Sequence, residues 1–148
     1  MLYARHLTGD QQAEDLVQEA FIRLLSLGTC PDNVRAWLFC VVRNESMSLV
    51  RRLRLRRAAG RVLGQEVIPW FESGIEDRID AETVQILLHT LPGYLREIVL
   101  LRIWGQLTLE EVARIVDKPV STVHHWYQQA LETLRQRLEP SSCVKNKD

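Results

Sequence analysis

The sequence predicts an all-α protein built as two small helical domains joined by an acidic linker, the second domain carrying a helix-turn-helix. Three observations predict it. Apolar residues recur at helical spacing along most of the chain, with no strand alternation and no hairpin turn. Between Gly60 and Asp80 this periodicity fails, Gly64, Pro69 and Gly74 enter and acids accumulate, which marks a linker. Beyond it, residues 109–127 have the spacing of two short helices around a tight turn. The expected organisation is a first domain over 1–60, a linker over 61–80, a second domain over 81–139 and a polar tail over 140–148.

A first helix is expected from about Gln11 to Leu27. Leu16, Val17, Ala20, Phe21, Leu24 and Leu25 form its apolar stripe, and Gly28 stops it. Asp15, Gln18, Glu19 and Arg23 fall on the other side and give a mixed polar face suited to docking on a helical partner. A second, longer helix is capped near Asp32-Asn33 and runs from Val34 to just before Gly60, apolar in its first half and cationic in its second. Trp37, Leu38 and Phe39 are assigned to the core. Arg51, Arg52 and Arg54 are candidates for phosphate contact, since the arginines of this run cannot all share one helical face.

After the linker come a helix at about Ala81 to Leu91, a break at Leu91-Pro92-Gly93 and a helix from Tyr94 to Trp104. In the helix-turn-helix, Ala113 is the small residue at the crossing, and Val112, Ile115 and Val116 form the apolar face of the first helix. Asp117-Lys118-Pro119 makes the turn, and Ser121-Thr122 supply N-cap chemistry. Val123 and Trp126 pack back, which leaves Ser121, Thr122, His124, His125 and Gln128 for the major groove of DNA. The helix continues to Leu138 and ends before Pro140. Two short amphipathic helices around a turn also occur in domains that never touch DNA, so the rest of the chain must decide.

Charge is segregated although the formal net charge is zero. From Asp32 to Gly64 there are eight arginines against Asp32 and Glu45, and from Gln65 to Glu82 six acids against Arg78. A basic helix and an acidic connector therefore cancel in the total, and only the former suits a polyanion. Cys30, Cys40 and Cys143 lack CxxC spacing and finger-like histidines, which supports neither a zinc site nor a disulfide framework and fits a reducing cytoplasm. No apolar run approaches a membrane span, and no export signal is visible. The tandem histidines point about 100° apart on a helix with no third ligand evident, so no metal is assigned. No cofactor is expected, and no catalytic constellation, P-loop or Gly-rich phosphate cradle is present.

Two segments, in order, resemble one family. Residues 13–24 (Ala-Glu-Asp-Leu-Val-Gln-Glu-Ala-Phe-Ile-Arg-Leu) look like region 2.2 of bacterial sigma-70 transcription initiation factors, specifically their small extracytoplasmic-function (ECF) group. Residues 35–44 and 49–57 look like regions 2.3 and 2.4, and Leu91 to Arg135 looks like region 4. The resemblance implies a sigma factor, which is not an enzyme and which brings core RNA polymerase to promoter DNA. Asp15, Gln18, Glu19 and Arg23 would then bind core polymerase, while Arg43, Asn44, Arg51, Arg52 and Arg54 would serve the −10 element. Asn44 falls where the family places an Asn near a flipped base, and its amide offers donor and acceptor to a base edge; a solvent-facing Asn is the alternative. Ser121, Thr122, His124, His125 and Gln128 would read the −35 element, and an anti-sigma factor is a further partner.

The chain departs from the family pattern twice. The family places a further long helix before region 2.2, for which only Met1 to Gly9 is available. A truncated or late-started reading frame is therefore expected, with Leu2, Tyr3 and Leu7 doing the work of a longer helix. The recognition helix also lacks the family's usual basic residues. Thr108 to Glu139 holds four basic residues against five acids, so the salt-sensitive share of −35 binding is expected to be small. Two other functions compete: a stand-alone helix-turn-helix regulator without polymerase docking, which would bind palindromic DNA as a dimer, and an inactive decoy for an anti-sigma partner.

Overall fold

The computed structural model describes residues 1–58, 84 and 86–138, and among these every regular element is helical. The first helix, α1 (Leu2–Thr8), is joined through Gly9 to α2 (Asp10–Leu25). Gly9 has φ 83° and ψ 175°, a region essentially restricted to glycine, which lets the chain reverse with no loop. Residues 2–8 form a short helix where the family pattern has a longer one.

Helix α3 (Val34–Ala58) starts as expected, with the Asn33 side-chain oxygen accepting from the Ala36 N–H at 2.9 Å. Helices α1, α2 and α3 pack on one another around Ala4, Ala13, Ala20 and Val42. The small residues of α1 and α2 bring their backbones close. The apolar stripe assigned to α2 is corrected here: Ala13 and Ala20 are buried, but Phe21 is 49% and Leu25 84% exposed. Length gives the reason. At 1.5 Å per residue α1 reaches only about 10 Å against about 24 Å for α2, so the end of α2 has no α1 surface to cover it. Trp37, Leu38 and Phe39 are half-buried rather than central, with Phe39 edge-on to Tyr3 at 5.3 Å between centroids.

The linker and the tail lie outside the described residues. Residues 86–89 are helical, and the break at Leu91 to Pro92 is present. Helix α4 (Gly93–Val99) runs into a π-helical turn over Leu100–Trp104, closed by the Gly105 N–H on the Leu100 carbonyl at 2.9 Å. The Arg96 guanidinium donates to the carbonyls of Leu88, His89 and Leu91 at 2.8, 2.9 and 3.1 Å. It thereby binds carbonyls at the end of the preceding helix, where Leu88 already accepts from the Leu91 N–H at 3.1 Å.

Helix α5 (Leu109–Val116) and helix α6 (Val120–Leu138) form the helix-turn-helix. Leu95, Ile98, Leu101, Val112, Val116 and Val123 centre the core of this domain. Ser121 and Thr122 do not cap α6 as expected, because the helix starts at Val120 and both lie inside its first turn. Pro119 supplies the accepting carbonyl, bonded by Val123 N–H at 3.1 Å.

The two domains also pack on each other. Tyr3 and Arg43 of the first reach Glu97 of α4, Arg35 donates to Gln106 at 2.9 Å, Asn33 bonds Glu111, and α5 lies against α3.

Candidate nucleic-acid and polymerase interfaces

The helix-turn-helix is built from local chemistry at its ends. Thr108 caps α5 in a reciprocal box: its hydroxyl accepts from the Glu111 N–H at 3.2 Å, while the Glu111 carboxylate accepts from the Thr108 N–H at 2.7 Å. At the other end Asp117 takes the left-handed conformation (φ 55°, ψ 55°), which an Asp tolerates better than most residues, and the Lys118 N–H returns to the Ala113 carbonyl at 3.0 Å. This turn sets the angle between α5 and α6.

Along α6 the side chains divide by helical position. Val123 and Ala130 are buried and Trp126 is half-buried against Tyr94, with ring centroids 5.0 Å apart. Ser121, His124, His125 and Gln128 are exposed, and Thr122 is half-buried beside them. The structure thus brings the five candidate groove residues onto the first half of one helix. Sequence reading missed two exposed cations beside them, Arg114 and Lys118, which border a shallow groove with Glu110, Asp117 and Pro119. Arg114 enters the sequence reading only through the charge count and Lys118 only through that count and the turn; their position around the turn was the available signal.

On α2, Asp15, Gln18, Glu19 and Arg23 are all exposed, as expected. Arg23 bridges Glu19 at 2.9 Å and Glu45 of α3 at 2.8 Å, which ties α2 to α3 and leaves Asp15 and Gln18 outside the cluster. The exposed Phe21, Ile22 and Leu25 adjoin this face.

On α3, Asn44 is exposed, its amide donating to the Cys40 sulfur at 3.7 Å, and Arg51 and Arg52 are exposed two turns further on. Arg54 lies on the same helix, but its side chain falls outside the described residues. Arg43 is placed differently from its neighbours. It is 19% exposed and pairs at 2.9 Å with Glu97, whose same oxygen accepts from the Tyr3 hydroxyl at 2.8 Å. Burial, and then the charge of Glu97, holds the Tyr3 hydroxyl far above its ordinary pKa, so it stays a donor.

Among the described residues no group of His, Cys, Asp and Glu could hold a metal ion, and no helix is long and apolar enough to cross a membrane. The fold is a three-helix domain with a cationic helix, followed by a helix-turn-helix domain. The comparisons make this specific. Residues 2–58 match Sigma-70 region 2 and residues 82–134 match Sigma-70, region 4. The RNA polymerase sigma factor SigV of Bacillus subtilis (strain 168) is 26% identical over 136 residues, covering 90% of this chain and 80% of that protein. The ECF RNA polymerase sigma factor SigW of the same organism is 26% identical over 148 residues, covering 90% and 79%. A co-crystal structure of the sigma factor RpoE with the anti-sigma factor NepR from Bartonella quintana shares the fold. Its TM-score is 0.62 at 22% identity, over 93% of this chain and 88% of that one. The chain belongs to the sigma-70 family. It is a sigma factor, directing RNA polymerase in transcription initiation, and the stand-alone regulator is not favoured.

Proposed function

We propose that three surfaces divide this work. The outer face of α2, with Asp15, Gln18, Glu19 and Arg23, docks on core RNA polymerase, and Phe21, Ile22 and Leu25 give that contact its apolar centre. Asn44, Arg51, Arg52 and Arg54, with Arg43 once released from Glu97, serve the −10 element. Ser121, Thr122, His124, His125 and Gln128 read the −35 element, while Arg114 and Lys118 take phosphates at the turn. The observation that carries this reading is the division of α6 into a packed side and a side with the groove candidates.

The domain limits that go with it are 1–60 and 81–139, with 61–80 as linker and 140–148 as tail. The protein acts in the cytoplasm with the polymerase and has no catalysis of its own. An anti-sigma factor is proposed as a partner because the structurally similar RpoE was crystallised with one.

The test is a pull-down of the full chain with bacterial core RNA polymerase, repeated with Asp15→Ala/Gln18→Ala. Both residues lie outside the Arg23 cluster, so the substitutions leave the fold alone. Capture by the native chain and its loss in the double variant are expected. Undiminished capture by the variant refutes the α2 assignment, and no capture of the native chain refutes docking altogether.

A further inference from the structure

We propose that Arg23 serves the −10 contact as a positioning residue that acts through Glu45: it crosses from α2 to cancel the one carboxylate of the helix that meets promoter DNA. The proposal rests on the assignment of α2 to core polymerase and of α3 to the −10 element. Helix α3 holds seven arginines against Glu45 as its single acid. Glu45 directly follows Asn44, and the exposed Arg52 lies seven positions further on, along nearly the same line of the helix and about 10 Å away. A bare carboxylate at this place repels the phosphates that Arg52 and its neighbours attract.

The structure does not leave it bare. Arg23 Nη1 donates to Glu45 Oε1 at 2.8 Å, and Arg23 Nε donates to Glu19 Oε1 at 2.9 Å. The two acids use different nitrogens of one planar guanidinium, so Glu19 sets its orientation and the remaining edge is aimed across at α3. Glu19 stands one turn before Arg23, the favoured order for an ion pair along a helix.

Stability does not account for this cluster. The side chains of Arg23, Glu19 and Glu45 are 45%, 49% and 26% exposed, and ion pairs so open to water add little to folding. What the cluster changes is charge. With Arg23 laid across Glu45, the stretch of α3 from Asn44 to Arg52 carries no uncompensated acid. Arg23 therefore belongs to the docking face of α2 by position and to the −10 helix by its bond.

The experiment uses the full chain bound to core RNA polymerase. Transcript 5′ ends made by the native complex on sheared genomic DNA locate a promoter, and permanganate footprinting on that promoter counts open complexes per captured polymerase. This ratio separates promoter opening from docking, whatever Arg23→Ala does to capture. Arg23→Ala should lower it about fivefold at low salt, the size expected of one bare charge acting over about 10 Å at a protein surface. Adding Glu45→Gln should return it to within about twofold of the native value, because no carboxylate is then left to cancel. The deficit of Arg23→Ala relative to the native chain should also shrink between about 0.05 and 0.3 M salt, as the Debye length falls below about 10 Å. A loss through misplaced helices is neither repaired by Glu45→Gln nor screened.

A ratio unchanged by Arg23→Ala overturns the proposal, as does a deficit that Glu45→Gln does not repair or that salt leaves as it was; the assignment of the surfaces then stands without it. A native chain that captures no polymerase or opens no promoter overturns that assignment, and the proposal falls with it.

Discussion

The Trp126 indole meets the Tyr94 ring edge-on, centroids 5.0 Å apart and planes inclined by 60°, and so pins the recognition helix to α4. This contact works with buried Val123 to fix which side of α6 faces outward. Trp126→Ala is expected to destabilise the second domain by about 2–3 kcal/mol, below the full cost for a core tryptophan because Trp126 is only half-buried. Trp126→Phe should recover most of it. Urea unfolding followed by circular dichroism measures both, and equal losses would mean that the ring contact is immaterial.

Gly105 closes the π-helical turn where no side chain fits. A Cβ there would lie 2.3 Å from the Leu101 carbonyl oxygen, a backbone atom that cannot swing aside. Gly105→Ala should therefore cost at least about 2 kcal/mol, more than any ordinary helix-propensity change, and should shift the approach of α4 to α5. A thermal midpoint within a degree or two of the native value would refute it.

The capping box of α5 is a smaller, separable contribution. Thr108→Ala removes the hydroxyl that accepts from Glu111 and is expected to cost about 1 kcal/mol, whereas Thr108→Ser should be nearly neutral. Amide hydrogen exchange in the first turn of α5 gives the readout. Protection unchanged in the Ala variant would count against the assignment.

Acid should loosen the chain through His6. Its imidazole bonds the Gly93 backbone and faces Arg96, Glu97 and His89 of the second domain; burial, then the charge of Arg96, pushes its pKa down to about 4. An unfolded histidine titrates near 6.5, so between about 6.5 and 4 the unfolded chain binds a proton that the folded chain refuses. Stability falls as pH drops through that window and levels off below it, by up to ~3 kcal/mol from this group. His89, also lowered by burial and Arg96, acts in the same direction. His6→Asn should flatten the dependence in denaturant titrations between pH ~7 and ~4.5. An unchanged slope would assign the effect elsewhere.

Asn44→Ala tests the −10 reading. The side chain is exposed and its hydrogen bond to the Cys40 sulfur is long and weak, so folding and polymerase capture should persist. Open-complex formation, read by permanganate footprinting, should drop by about tenfold, the value of roughly one good base contact. Equal loss of capture and melting would make Asn44 a structural residue.

The sequence by itself determined the helical class, the break at Leu91-Pro92 and the helix-turn-helix with its inward Val112, Ala113 and Val123, because these follow from periodicity and turn chemistry within a few residues. It also set Asp15, Gln18 and Glu19 on the open side of α2. It misjudged Phe21 and Leu25, since a periodic stripe shows which face is apolar but not how far the neighbouring helix extends to cover it. Only the tertiary structure decided that Arg43 turns to Glu97 and Tyr3, that Arg114 and Lys118 border the recognition helix, and that the two domains close on each other. The contacts of Glu97 join residues 54 and 94 positions apart, and pairing over such separations leaves no local pattern from which to read it, whereas Arg114 and Lys118 stood beside the turn in the sequence.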